Sequence, residues 1–230
     1  MRIDCHVHTT RYSPCSRLSP YKACSLALER GLQALVITEH HQQWHPGEIW
    51  EMRNDFPGLS IYSGLEVSLA EGFDVVVITR NQGLEIPPGL PCNEVFTQWI
   101  KDAECFAFLA HAFRWGGERT KDLSLVLPYV HGLEMNSLNI LEGQHAKDNR
   151  KYVPLRAQLY EELRQEHSLV PLYNSDAHLE AAVGCLANEI SCPAAPEDEA
   201  ELIELLKLST PVEFQNEKRL AALLDSLFSM

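Results

Sequence analysis

Three short strings in this chain bring metal-binding side chains close together: His6-Val7-His8, Glu39-His40-His41 and Asp176-Ala177-His178. Neutral imidazole and carboxylate are ordinary ligands of zinc-like divalent ions. If the first of these strings ends a strand, a period of two puts Asp4, His6 and His8 on one face and Ile3, Cys5 and Val7 on the other. Two imidazoles then reach one ion without bending the backbone, and Asp4 is placed to orient a ring from behind. By itself such a pair is more often two solvated or hydrogen-bonded histidines than a metal site.

The elements around these strings decide between the two. Ser19 as N-cap and Pro20 at the first helical position predict a helix through Ala23, Leu26, Ala27 and Arg30, stopped by Gly31. The run Ala34-Leu35-Val36-Ile37-Thr38 reads as a strand buried on both faces, so the start of the chain is a βαβ unit. Further strands are predicted at 59–65, 73–79, 105–110, 129–133 and 169–173, and helices at 46–55, 93–104, 149–167, 196–208 and 216–227. His6 and His8, Glu39 to His41, Glu66, His111, Glu134, and Asp176 with His178 all come just after such strand-like runs, and Asp74 opens one. In a parallel barrel these positions share the C-terminal rim, where barrel enzymes keep their active sites. Repetition of this pattern favours a metal site over unrelated rim residues. His45, His131, His145 and His167 lack this context.

With 230 residues, 45% of them hydrophobic, the chain can bury a full core, and no linker divides it, so residues 1–230 are expected to form a single domain. A net charge of −13 argues against general affinity for anionic lipid or long nucleic acid, and neither partner is expected. Bound cations would still let such a chain accept phosphates locally. Seven cysteines without a Cys-x-x-Cys read as reduced, mostly core thiols. Asp4, His6 and His8 stand where a signal peptide needs an apolar run, and no stretch of about 20 apolar residues occurs, so a soluble, cytoplasmic protein is expected. Nothing in the sequence indicates an oligomeric state.

The strings Asp4-Cys5-His6-Val7-His8, Ile37-Thr38-Glu39-His40-His41, Gly64-Leu65-Glu66, Ala110-His111, Gly132-Leu133-Glu134 and Asn174-Ser175-Asp176-Ala177-His178 resemble, in order, the successive motifs of the polymerase and histidinol phosphatase (PHP) superfamily. The resemblance implies an α/β fold, a distorted (β/α)7 TIM-like barrel, that holds two or three divalent ions (zinc, manganese or iron) for phosphoester hydrolysis. Carried over by motif, His6, His8, Glu66 and Asp176 hold one ion, Glu66 bridges to a second that also takes His111, and His40 and His178 hold a third. The chain departs from the pattern in three places. Asp74 stands where many members carry a His, and would favour a harder ion. Ser13-Pro14-Cys15-Ser16 replaces a loop that elsewhere supplies a His or Asp, which leaves Cys15 as a thiolate ligand or a loop thiol. Glu39 stands where Asp is usual.

Paired divalent ions lower the pKa of water from about 15.7 toward roughly 7, so no protein nucleophile is required. Accordingly the chain has no convincing Ser-His-Asp arrangement, Gly-rich phosphate loop or dinucleotide fingerprint. Arg114, three residues after His111, is a candidate to fork onto phosphate oxygens, with Arg11 and Arg17 weaker candidates. His41 is a candidate to protonate the leaving oxygen or to stand behind a ligand. The expected activity is hydrolysis of a small phosphorylated metabolite or nucleotide. Two alternatives stay open: a non-catalytic metal-binding or regulatory module, and an amidohydrolase-type C–N hydrolase. The latter families also begin with His-x-His but bring a Lys from a middle strand, and no Lys falls at a strand end here.

Overall fold

The computed structural model describes residues 1–100, 105–114, 122–142, 145–148 and 151–228. The chain opens with β1 (Arg2–Val7). Ser19 caps α1 (Pro20–Glu29), its hydroxyl accepting the Lys22 N–H at 3.3 Å, and the chain turns out of the helix at Gly31 with φ +78°. Next along the chain are β2 (Ala34–His40), α2 (Pro46–Asp55), β3 (Ser60–Ser68) and β4 (Asp74–Ile78). The expected helix at 93–104 is a short α3 (Cys92–Glu94) continued by a π-helical turn over Val95–Trp99; residues 101–104 lie outside the described ones. Beyond it lie β5 (Phe106–Ala110), α4 (Leu123–Val126), β6 (Gly132–Asn136) and α5 (Leu138–Leu141). Pro128 sits in a 3-10 turn, Leu127–Tyr129, so β6 starts later than 129 and Glu134 falls within the strand.

The long helix expected at 149–167 is two things. Residues 149–150 lie outside the described ones, β8 (Lys151–Pro154) pairs antiparallel with β7 (His145–Asp148), and only Ala157–Glu166 is helical, as α6. Tyr152 and Val153 suit a strand, and Pro154 disfavours helical backbone in the residue before it. The chain ends with β9 (Val170–Tyr173), β10 (Leu186–Glu189), α7 (Glu199–Leu208), β11 (Val212–Gln215) and α8 (Glu217–Phe228).

Nine strands form one sheet in the order β11-β10-β1-β2-β3-β4-β5-β6-β9. The pairs β1–β2, β2–β3, β5–β6 and β6–β9 are parallel, whereas β4 is antiparallel to both neighbours. Being antiparallel, β4 begins where its neighbours end, which puts Asp74 opposite Ser68 and Ala110 at the same rim as their C-terminal ends. Beyond β9, Ala177 bridges to Val7 in parallel, and the His8 N–H donates to the Ala177 carbonyl at 3.0 Å, so the sheet comes back onto its first strand. At the other end β10 wedges against β1 and β9. The Asn188 amide donates to Asn174 Oδ1 at 2.9 Å, and its carbonyl accepts the Tyr173 N–H at 2.8 Å. The result is a nearly closed, distorted α/β barrel of the kind expected.

Both faces of the sheet are buried. Ile3, Cys5, Val36, Tyr62, Val76, Phe106, Phe108 and Leu172 pack inside with Leu202, Ile203 and Leu206 of α7. Outside, Leu35, Ile37 and Ile61 meet α1, α2 and α8, and Leu65, Val75, Val77 and Leu109 meet Val95, Tyr160 and Leu163. Gly64 marks the tightest strand approach: a Cβ there would sit 2.7 Å from the Val77 carbonyl oxygen. No helix of the described residues is long and apolar enough to cross a membrane.

Candidate metal centre

The site begins with an irregularity in β1. Asp4 pairs with Leu35 but Val7 with Ile37, so β1 advances three residues while β2 advances two. This is a β-bulge, and it re-aims side chains that strict alternation would have ordered otherwise. Cys5 packs in the interior, His6 meets the interior Phe108 ring edge-on at 6.2 Å, and Val7 belongs to the outer core. Asp4 therefore does not orient a ring. Its carboxylate accepts the Ser175 N–H at 3.1 Å, the Ser175 hydroxyl at 2.5 Å and the His6 backbone N–H at 3.3 Å, while burial pushes its pKa up to about 7. The carboxylate behind the His6 ring is Glu134, whose Oε1 lies 3.1 Å from His6 Nδ1.

Each neighbouring strand end adds to this point. His8 Nε2 lies 3.0 Å from His6 Nε2 and 3.3 Å from Glu66 Oε2. His111 Nε2 is 3.0 Å from Glu66 Oε1, and its Nδ1 is 3.7 Å from Asp74 Oδ2. His40 Nδ1 stands 2.9 Å from Glu66 Oε2. The His8 ring stacks between those of His40 and His178, each with centroids 4.3 Å away. Non-glycine residues at positive φ concentrate here: His41 at 62°, His111 at 26° and Asp176 at 49°, each just past a strand. Such backbone persists where surrounding contacts hold it, and it often marks functional sites.

The donor set fits cations. The Ser13 hydroxyl donates to Glu39 Oε2 at 2.5 Å and accepts the His40 N–H at 3.1 Å, so it faces His8 Nδ1, 3.1 Å away, as an acceptor. Glu134 likewise requires a proton on His6 Nδ1. With both rings neutral, the two Nε2 atoms would carry lone pairs aimed at each other among the carboxylates of Glu66 and Asp176, which a second proton on His6 or a bound cation relieves. Among the described residues Asp176 Oδ1 is buried without a hydrogen-bond partner, 3.5 Å from His6 Nε2 and 3.4 Å from His8 Nε2. Only positive charge resolves such a centre. The titration behaviour agrees. Burial pushes His6 down, yet Asp176, Glu66 and Glu134 outweigh it and hold His6 well above the ordinary histidine value. Burial similarly opposes ionisation of Glu66 and Asp176, but His6 and the other imidazoles keep both well below the usual carboxylate range. Burial leaves His8 at about 3, a neutral ligand in waiting.

Among the described residues four overlapping groups have candidate ligand atoms within 4.8 Å of one another: His6, His8 and Glu66; His6, His111 and Asp176; Glu66, Asp74 and His111; and His8, His40 and His178. Cys15 joins none of them. Its thiol is raised by burial, then by nearby carboxylates, and it lines a cavity beside His178. Arg114 lies 3.5 Å from Asp74 at the rim; residues 115–121 lie outside the described ones. The His41 N–H donates to the Glu66 carbonyl at 2.7 Å, and its buried Nδ1 has no partner among the described residues. Sequence reasoning placed Glu134 among the strand-end residues without a role, and gave none to Ser13 or to Asn139, whose amide donates to Asp176 Oδ2 at 2.8 Å. Glu134 at least carried a signal, since it ends an apolar run as the ligands do.

No protein-family model matches the sequence, and no curated protein matches it. Solved structures do resemble it. PsfC from Pseudomonas syringae aligns with TM-score 0.66 at 22% identity, over 99% of this chain and 98% of that one. A two-domain protein from Bacteroides vulgatus, described as containing a predicted PHP-like metal-dependent phosphoesterase, gives TM-score 0.66 at 14% identity over 94% of this chain and 64% of its own. Endonuclease Q, in complex with a 27-mer duplex substrate with an abasic lesion at the active site, gives 0.59 at 14% identity over 90% and 56%. This last likeness corrects one expectation: a fold of this kind does accept long nucleic acid, so net charge gives no ground for excluding it. The error was physical, because overall charge is a poor guide to the potential at a centre built to collect cations. The chain has the fold of the PHP-like metal-dependent phosphoesterases.

Proposed function

We propose that the protein is a metal-dependent phosphoester hydrolase acting on a small phosphorylated metabolite or a nucleotide. One observation carries the reading: imidazole nitrogens and carboxylate oxygens from strands across the sheet converge in overlapping groups at one rim. His6, His8, Glu66 and Asp176 would hold one ion, Glu66, His111 and Asp74 a second, and His40 with His178 a third. A set of nitrogen and oxygen donors without thiolate suits zinc, manganese or iron. Bound divalent ions supply Lewis acidity there, lowering the pKa of water and neutralising charge on phosphoryl oxygens.

The chain's own residues do the rest. Glu134 and Ser13 fix the tautomers and orientations of His6 and His8, and Asn139 fixes Asp176. Burial, with His40 beside it, holds His41 below the ordinary histidine value, which suits a proton acceptor better than a donor. The test is elemental analysis of purified protein, then a panel of phosphomonoesters, phosphodiesters and abasic duplex DNA. Two or three equivalents of transition metal and metal-dependent ester cleavage are expected. Metal-loaded protein that cleaves no ester in the panel would refute the reading. His40→Ala separates catalysis from a purely structural metal, because His40 stands partly exposed at the edge of the site. Lost turnover at an unchanged melting temperature supports catalysis, and a collapsed fold supports structure.

A further inference from the structure

We propose that the cavity beside His178 is a subsite for a second anionic group on the substrate, and that Arg17 is its receptor. The inference rests on the phosphoesterase reading above and narrows it, from any phosphoester to one whose body carries a further carboxylate or phosphate. A cavity of about 410 Å³ runs along Asp176 and His178, and its wall includes Arg17, Leu138, Asn139 and Glu142. It is therefore continuous with the proposed metal ligands, and a substrate held by its phosphoryl group at the ions extends its body into it.

The three arginines near the rim differ in one respect. Arg11 is engaged by Glu48, its Nε donating at 2.7 Å, and Arg114 faces Asp74 at 3.5 Å. Arg17 has no ion pair with a carboxylate among the described residues, although the chain carries a net charge of −13. Its backbone is fixed to the site, since the Arg17 N–H donates to the His178 carbonyl at 2.8 Å. An unneutralised guanidinium, carried by a residue whose backbone is one hydrogen bond from His178 and which lines the cavity, is a fork for a planar carboxylate or a phosphate. Leu138 offers apolar contact to the carbon body between the two anions. Glu142 presents a carboxylate on the same wall, which repels an anion lodged near it and directs the second charge toward Arg17.

The test uses non-hydrolysable pairs, so that binding is read whether or not an ester is cleaved. Manganese- or zinc-loaded protein is titrated calorimetrically with 3-phosphonopropanoate and with propylphosphonate, which differ by a carboxylate in place of a methyl group. Ethane-1,2-diphosphonate tests phosphate as the second anion. The wild type is expected to prefer at least one of the two probes with an anionic tail by about tenfold or more, the factor one charge-assisted pair yields. Arg17→Ala removes the preference and leaves propylphosphonate binding within about twofold. Arg17→Lys keeps a part of it, having charge without the fork, and Glu142→Gln increases it. Equal affinity of the wild type for all three probes, or a preference that survives Arg17→Ala, overturns the subsite and leaves the phosphoesterase reading standing. Failure of every phosphonate to bind protein that has taken up metal overturns both.

Discussion

Replacing Glu134 by Gln tests whether the group behind the ligands sets the metal affinity. Glu134 is fully buried and accepts from three donors: His6 Nδ1 at 3.1 Å and the Asn174 amide at 2.9 Å on Oε1, and the His111 N–H at 3.0 Å on Oε2. A glutamine has one oxygen for two positions, so its NH2 must face at least one N–H. Turned toward His111, it pushes away the backbone of one ligand; turned toward His6, it unseats the ring of another and removes the proton acceptor that fixes its tautomer. Losing an orienting partner of this kind costs about 10- to 100-fold in metal affinity, roughly 1.4 to 2.8 kcal/mol. The loss of the carboxylate also lowers the local negative potential that draws cations in. The assay is competition for Zn2+ against a chromophoric chelator at fixed pH, with far-ultraviolet circular dichroism to verify that the barrel persists. A Glu134→Gln variant that is folded and binds zinc within about threefold of wild type would show that the orientation of His6 and His111 does not depend on Glu134.

The geometry leads to three further outcomes. His6 is held well above the ordinary histidine value by Asp176, Glu66 and Glu134, so metal-free protein carries a proton there at neutral pH. Metal uptake must expel it, affinity must rise with pH, and calorimetry in buffers of different ionisation enthalpy should register the release; a proton-neutral uptake contradicts the assignment. Asp4 is raised from 3.8 to about 7, so folded metal-free protein holds this proton more tightly than the unfolded chain does. Its contribution weakens folding as pH rises from about 4 to about 7, by at most ~4 kcal/mol, and Asp4→Asn should flatten that part of the urea-unfolding profile; an unchanged slope rejects the idea. Gly64→Ala places a methyl 2.7 Å from a backbone oxygen and should cost about 1–3 kcal/mol by thermal melting, with weakened metal binding because Glu66 lies two residues on. A variant as stable as wild type means that β3 and β4 separate freely.

The ligand positions were legible because each strand before them is an apolar run buried on both faces, and a barrel gathers the residues just past such runs on one rim. That reasoning leads to His6, His8, Glu66, His111, Asp176 and His178, which the structure does bring together, although His6 and Glu66 fall inside β1 and β3 rather than past them. The features that stayed hidden depend on partners distant in sequence. The bulge in β1 exists only relative to the register of β2, so alternation wrongly put Asp4 with the rings, and the carboxylate behind His6 comes from β6. The hairpin of β7 and β8 was masked because its polar residues also suit a helix, with Pro154 the one break in the pattern. Cys15 sits in an irregular loop, where spacing gives no direction to the side chain.

The seam where the barrel shuts has a consequence for how the centre comes into being. Asp4 grips Ser175 across 171 positions of sequence, and residues just beyond either side of that clasp, His6 and Asp176, both donate to the cluster. Joining the two ends of the sheet and gathering the donors are thus a single event. During synthesis, the first strand must wait with its histidines unmatched until the segment 171 positions further along has emerged, and an ion that bridges the two sides would act as a rivet between parts of the barrel far apart in the chain.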